Sequence, residues 1–172
     1  MLFRSQGSTQ TVIDSLEFAR TGQTLRGSLS LPELTRLRDS LVDTVRAVEF
    51  EVKGGHDARR RPILKLAIHG MLHLQCQRCL GALEHALQVL NTLLLVTAGE
   101  SAAGGLDEED AEWVEASGNL DVAALVEDEI ILSLPYAPRH EEGSCKQAGT
   151  AAADGAAASA FARLAALKQN RN

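Results

Sequence analysis

An α+β fold, in which a meandering antiparallel sheet is covered by helices, is what this chain of 172 residues predicts. Three observations carry the prediction. Leu64, Leu66, Ile68, Leu72, Leu74 and Cys76 alternate with Lys65, Ala67, His69, Met71, His73 and Gln75, the period of two expected of a half-buried strand. A second run, from about Leu83 to Thr97, places Leu87, Val89, Leu93 and Leu95 on one parity, and only Cys76-Gln77-Arg78-Cys79-Leu80-Gly81 links the two runs. Asp121 then heads an apolar stretch from Val122 to Leu134 that Pro135 closes. An Asp there suits a helix start, because its carboxylate accepts from the unpaired N–H groups of the first turn.

The remaining elements fit around these. Thr24-Leu25-Arg26-Gly27-Ser28-Leu29 alternates and predicts a short strand. Pro32, followed by Leu34, Leu37 and Leu41, predicts a helix near 32–42, since Pro suits the first helical position, where its missing N–H has no partner anyway. Residues 44–53 read as a strand with Val48, Phe50 and Val52 on one face, and Gly54 to Arg61 as the loop that follows. Gly70 falls within the long alternating run and marks a bulge or bend. Residues 99–112 read as a loop, and Trp113-Val114-Glu115 as a short strand. The helices near 32–42 and 122–134 are expected to pack on the sheet, which either stays open or begins to curl into a barrel. The expected organisation is one α+β domain over 1–146, an Ala/Gly-rich, disordered linker over 147–160 and a short amphipathic motif over 161–172, in which Phe161, Leu164 and Lys168 share a face.

Composition narrows the function. Residues 1–98 hold 12 Lys/Arg against 9 Asp/Glu, a net of +3; residues 99–172 hold 5 against 14, a net of −9. A whole-chain nucleic-acid binder would face phosphate with a basic surface, which this balance does not supply. The run Arg59-Arg60-Arg61 admits a local phosphate contact, although a solvated turn between strands is the plainer reading. The most apolar stretch, Leu87 to Ala98, is shorter than the roughly 20 residues a membrane span needs, and the N-terminus has no signal-peptide pattern. The expectation is a cytoplasmic protein with no membrane partner.

Three cysteines, an odd number, argue against a disulfide scaffold. Cys76 and Cys79 have the spacing at which two thiolates on a tight turn grip one tetrahedral ion, usually zinc. His140 and Cys145, just past the predicted helix, would complete four ligands. The alternative is a set of unrelated reduced thiols. A thioredoxin-like redox pair would open a helix in a βαβ unit, whereas this pair joins two strands. His69 and His73 lie about 13 Å apart along one strand, too far to share an ion, while His85 is expected to come near His73. Glu127, Asp128 and Glu129 occupy successive helical positions about 100° apart, which suits solvated or partner-facing charges better than a catalytic pair. No Gly-rich phosphate loop, nucleophile elbow or His-Glu-x-x-His helix occurs, so the expectation is a binding protein and not an enzyme. A zinc-dependent or thiol-redox enzyme is the enzymatic alternative.

Leu74-Gln75-Cys76-Gln77-Arg78-Cys79, then Val126-Glu127-Asp128-Glu129-Ile130-Ile131-Leu132-Ser133-Leu134-Pro135, then Pro138-x-His140 and Cys145, resemble the bacterial YceD family. The closing Phe161-Ala162-Arg163-Leu164-Ala165-Ala166-Leu167-Lys168 does so too, and the likeness runs from about residue 14 to residue 168. The resemblance implies a non-enzymatic role in the synthesis, processing or stability of 23S ribosomal RNA, alongside a large-subunit ribosomal protein whose gene commonly lies next to the family's. Some relatives carry additional C-terminal Cys pairs that would complete a zinc site, where this chain has only Cys145. Together with the acidic C-terminal half, it points to a basic partner, a ribosomal or rRNA-processing protein. Glu127, Asp128, Glu129, Phe161, Leu164 and Lys168 are the expected contact residues. The rival is direct RNA binding through Arg59, Arg60, Arg61, Lys65 and Arg78.

Overall fold

The computed structural model describes residues 12–97, 99 and 112–145. The linker at 147–160 and the motif carrying Phe161, Leu164 and Lys168 lie outside the described residues. The elements are β1 (Val12–Ile13), α1 (Ser15–Thr21), β2 (Thr24–Ser30), β3 (Ala47–His56), β4 (Pro62–Gln75), β5 (Ala82–Val96), β6 (Trp113–Glu115), β7 (Leu120–Asp121) and α2 (Val122–Ser133). Five strands form one sheet in the order β2-β3-β4-β5-β6, and β1 pairs with β7 separately. The expected α+β meander is therefore present. The sheet is open, since β2 and β6 stand at its two edges and do not pair. Its last pair, β5 with β6, is parallel and not part of the meander.

Alternation in the strands does what it predicts. Val48, Phe50 and Val52 of β3, Leu64, Leu66, Ile68, Leu72 and Leu74 of β4, and Leu87, Val89, Leu93 and Leu95 of β5 are buried on one face. Val122, Leu125, Val126 and Ile130 of α2 and Phe18 and Ala19 of α1 pack into the same core. Each such aliphatic side chain contributes about 1.5–3 kcal/mol, so a core with few aromatics suffices. The opposite face of the sheet, here called the outer face, carries the odd positions of β3 and β4 and the even positions of β2 and β5.

The expected helix near 32–42 is replaced by two short 3₁₀ turns, Leu31–Glu33 and Arg38–Ser40. Leu31, Leu34 and Leu37 are all buried. Their spacing of three matches the three-residue turn of a 3₁₀ helix as well as one α-helical face, and so short a stretch gains little from α-helical cooperativity. Pro32 still sits at the start of the first turn. The strand expected at 44–53 lies at 47–56, so Gly54, Gly55 and His56 extend β3 and the loop shrinks to Asp57–Arg61. A Cβ on Gly54 would lie 2.3 Å from the Phe18 carbonyl oxygen, so only glycine lets α1 rest on β3 there. Gly70 is neither a bulge nor a register break: it pairs with Leu87 in an uninterrupted ladder from Ile63 to Gln75. Its missing side chain accommodates Val48, whose Cγ1 would lie 3.0 Å from a Cβ.

Candidate metal centre

The β4–β5 hairpin ends at Cys76, where the Cys76 N–H donates to the Gly81 carbonyl (2.9 Å) and the Leu80 N–H to the Cys76 carbonyl (2.8 Å). This tight turn brings Cys76 and Cys79 to one side. α2 starts as expected, with the Asp121 carboxylate accepting from the Ala123 and Ala124 N–H groups at 2.9 and 3.3 Å. After Ser133 the chain turns at Pro135 and runs back over the hairpin tip, where the Gln77 N–H donates to the Pro138 carbonyl at 2.8 Å.

That return delivers His140 and Cys145. One ligand atom from each of Cys76, Cys79, His140 and Cys145 falls within a cluster no more than 4.8 Å across. Cys76 Sγ is 3.8 Å from Cys145 Sγ, Cys79 Sγ is 3.5 Å from His140 Nδ1, and Cys145 Sγ is 3.8 Å from His140 Nδ1. Zinc–sulfur bonds of about 2.3 Å and zinc–nitrogen bonds of about 2.0–2.1 Å at tetrahedral angles put sulfurs about 3.8 Å apart and sulfur and nitrogen about 3.6 Å apart. These three distances match that tetrahedron. All three cysteines are free thiols.

The surroundings prepare the ligands. His140 Nε2 lies 3.0 Å from the Ala82 carbonyl, which can only accept, so Nε2 carries the proton and Nδ1 turns its lone pair to the thiols. Burial raises the Cys76 thiol, but backbone N–H groups of Cys79, His140 and Arg78 and the His140 side chain outweigh it and pull the pKa down to about 5. The Gly81 N–H lowers Cys79, yet burial and the neighbouring Cys145 and Cys76 sulfurs leave that thiol above its usual range. Hydrogen bonding to Cys76 and Cys145 raises His140. Arg78 Nε donates to Cys145 Sγ at 3.0 Å, and its Nη2 to the His140 and Glu141 carbonyls at 3.2 and 3.1 Å. Three thiolates around a divalent ion carry one excess negative charge, which the guanidinium offsets. Four protein ligands leave no open position for a reacting group, the hallmark of a structural zinc. Cys76, Cys79, His140 and Cys145 would hold such an ion and staple the post-helix segment to the hairpin.

The other expected site residues fall elsewhere. Glu127 and Glu129 are buried, not solvated or partner-facing. Glu127 Oε1 accepts the N–H groups of Arg36 (2.7 Å) and Leu37 (3.0 Å), and its Oε2 accepts Arg36 Nε (3.0 Å). Asp128 takes the same guanidinium through Nη1. Glu129 accepts from Asn91 Nδ2 at 2.7 Å. Glu127 and Glu129, bound inside the chain, have no free charge for a partner, whereas Asp128 stays exposed beside Arg36. Arg78 belongs to the clasp just described. Arg61 pairs with Asp57 at 2.7 Å, and Arg59 and Arg60 lie exposed in the same turn. Lys65 is exposed on the outer face.

His85 does not approach His73. It pairs with Leu72, on the opposite face, and His73 instead meets Asp43 through Nδ1 and Glu84 Oε1 at 3.5 Å. Sequence reasoning missed the His73–Asp43 contact and the capping role of Glu127. For the latter no local signal existed, because donors and acceptor lie about ninety residues apart.

Among the described residues no helix is long and apolar enough to cross a membrane. A family model described as large ribosomal RNA subunit accumulation protein YceD matches residues 64–169. A protein of Haemophilus influenzae named large ribosomal RNA subunit accumulation protein YceD is 28% identical over 136 residues, 78% of this chain and 77% of that protein. No solved structure matches the chain.

Proposed function

From the premise that the chain belongs to the YceD family, we propose that it is a cytoplasmic, non-enzymatic factor in the accumulation of large-subunit (23S) ribosomal RNA. The observation that carries this is the family match over 64–169, a span that contains the β4–β5 hairpin, α2 and all four clasp residues. The clasp is a closed ligand set that supports a structural zinc, and it fixes the shape of one end of the molecule. A rigid end of this kind suits recognition.

On this reading a basic protein, ribosomal or rRNA-processing, docks beside the clasp. Leu132 is 74% exposed and Tyr136 fully exposed, close in sequence to the exposed acids Asp128, Glu141 and Glu142, and Leu80, next to Cys79 in the hairpin turn, is 66% exposed. Apolar side chains flanked by unburied carboxylates suit a partner with aliphatic and basic residues. Leu80 supports the same reading, because it holds a left-handed φ of 60° that leaves its apolar side chain exposed.

The test is genetic. Deletion of the gene should lower large-subunit rRNA relative to small-subunit rRNA, and the wild-type chain should restore it. An unchanged ratio on deletion would sink the reading. Affinity purification after nuclease treatment should retain a basic protein, and Leu132→Asp with Tyr136→Asp should release it. Recovery that depends wholly on RNA would remove the partner.

A further inference from the structure

On the outer face of β2 to β5 each carboxylate meets an arginine or a histidine across strands, but one row sets like charges together. Arg26 of β2 pairs with Glu51 of β3, Glu49 of β3 with His69 of β4 at 2.9 Å, and His73 of β4 with Glu84 of β5. Lys53 of β3 and Lys65 of β4, by contrast, are directly opposite each other in the ladder. Their Cβ atoms are about 4.5–5.5 Å apart, a distance at which like charges destabilise a sheet. Among the described residues neither ammonium has a carboxylate partner, and both are exposed. Thr24 pairs with Lys53 on one side and Thr92 with Lys65 on the other. The row Thr24–Lys53–Lys65–Thr92 thus sets four exposed hydrogen-bond donors side by side across four strands, over about 14 Å.

The next row along the strands is apolar. Ile63 pairs with Leu94, both buried, and Leu94 pairs with Trp113, the sole tryptophan of the chain, which is 49% exposed. Val114 packs against the core, so Trp113 faces outward. A cationic row with an aromatic at its flank is the combination that grips a single strand of nucleic acid, phosphates on the ammoniums and a base on the ring. An acidic peptide would answer the lysines but not the half-exposed indole.

We propose that this face, through Lys53, Lys65 and Trp113, binds a segment of single-stranded RNA. The choice of RNA rests on the accumulation reading above; the unneutralised row does not. The face lies on the other side of the sheet from α2. The chain would therefore hold RNA on one side and its protein partner at the clasp.

The full chain is titrated with a labelled single-stranded oligouridylate at a series of salt concentrations, while Trp113 emission is followed. Binding should quench that emission. Lys53→Glu with Lys65→Glu should weaken binding at low salt at least about tenfold and flatten the log–log salt slope by about 1.4, at about 0.7 for each phosphate no longer neutralised. Trp113→Ala should weaken it between about five- and a hundredfold. Lys65→Glu alone should bind less while melting no lower than wild type, because it removes a like-charge pair, so weakened binding cannot be mistaken for unfolding. Unchanged affinity or slope in the double variant overturns the proposal. Equal binding of polyglutamate at matched charge overturns the assignment to RNA. The two readings also fail separately. If deletion lowers the rRNA but the double variant restores it and binds RNA normally, the platform falls and the accumulation role stands. If deletion leaves rRNA unchanged, the accumulation role falls whatever the titration gives.

Discussion

Between β3 and β4 the chain reverses over Asp57–Arg61, and between β4 and β5 it reverses over Cys76–Gly81. In the first turn everything needed lies within five residues. Asp57 Oδ1 accepts the N–H groups of Arg59 (2.9 Å) and Arg61 (2.8 Å), its Oδ2 takes Arg61 Nε (2.7 Å), and its own N–H donates to the Arg61 carbonyl (3.0 Å). In the second, the local bonds are supplemented from about sixty residues away, by Pro138, His140, Glu141 and Cys145. Leu134 packs half-buried against the core, but no residue from Pro135 to Cys145 is buried, so packing does little to hold the rest of that segment down. The first turn is closed by one of its own side chains, Asp57. The second is a fastening point, and what it fastens is the chain that carries Tyr136 and the exposed acids.

The difference can be broken first at the Cys3His cluster. Chelation, or Cys145→Ser, should free the segment after α2 while the sheet survives. Tryptic cleavage after Arg139 should then accelerate more than about a hundredfold, because loss of a structural ion withdraws several kcal/mol of local stability. Metal analysis should give one zinc per untreated chain. An unchanged cleavage rate would mean that something other than the clasp holds the segment. The second test sits on the other long-range fastening, Glu127 with the Arg36–Leu37 turn. Glu127→Ala strands two backbone N–H groups and part of a guanidinium, one of those groups fully buried. It should cost about 2–4 kcal/mol of global stability, read as a lowered Tm and denaturant midpoint. Asp57→Ala removes comparable hydrogen bonds at the exposed local turn. It should cost only about 1 kcal/mol and leave cleavage at Arg139 unchanged. A loss equal to that of Glu127→Ala would erase the distinction between local and long-range fastening.

The same distinction decides what was legible in the sequence. The β4–β5 hairpin showed in its alternation, and α2 in Asp121 and Pro135, because period and caps are local chemistry. The Cys76–Cys79–His140–Cys145 cluster was legible although two of its members come from a distant segment, because few residue types suit zinc and their spacing is restrictive. The turns at 31–40 were not, since Leu31, Leu34 and Leu37 satisfy two helical periods and the carboxylate that selects between them is Glu127. α1 was not predicted although its signal is local, with Asp14 as N-cap, its Oδ1 accepting the Glu17 N–H at 3.0 Å, and Gly22 in the left-handed conformation (φ 63°) at the C-cap. The Lys53–Lys65 pair could not be read at all. It follows from register, and register follows from β3 running on through Gly54 and Gly55 to a five-residue turn.

The smallest effect separates two carboxylates of α2 that look alike in sequence. Glu127 is surrounded by donors, whereas Glu129 has one amide, Asn91, which also donates to Glu112. Burial raises the Glu129 pKa, the Asn91 hydrogen bond lowers it, and Glu112 and Asp128 raise it further, for a net rise. An acid whose folded pKa lies above its unfolded value stabilises the fold when protonated. That contribution is complete below the unfolded value of 4.5 and disappears as pH rises through the folded value. At neutral pH Glu129 is therefore a burden on the fold. Glu129→Gln, which keeps an acceptor for Asn91, should raise the Tm slightly at pH 7, with the gain shrinking to nothing below about pH 4.5. Glu127→Gln should lower the Tm at pH 7, because it exchanges a carboxylate among donors for a weaker acceptor with an N–H₂ of its own to place. If both substitutions shift the Tm in the same direction at pH 7, long-range placement alone does not separate a fastening carboxylate from a merely buried one.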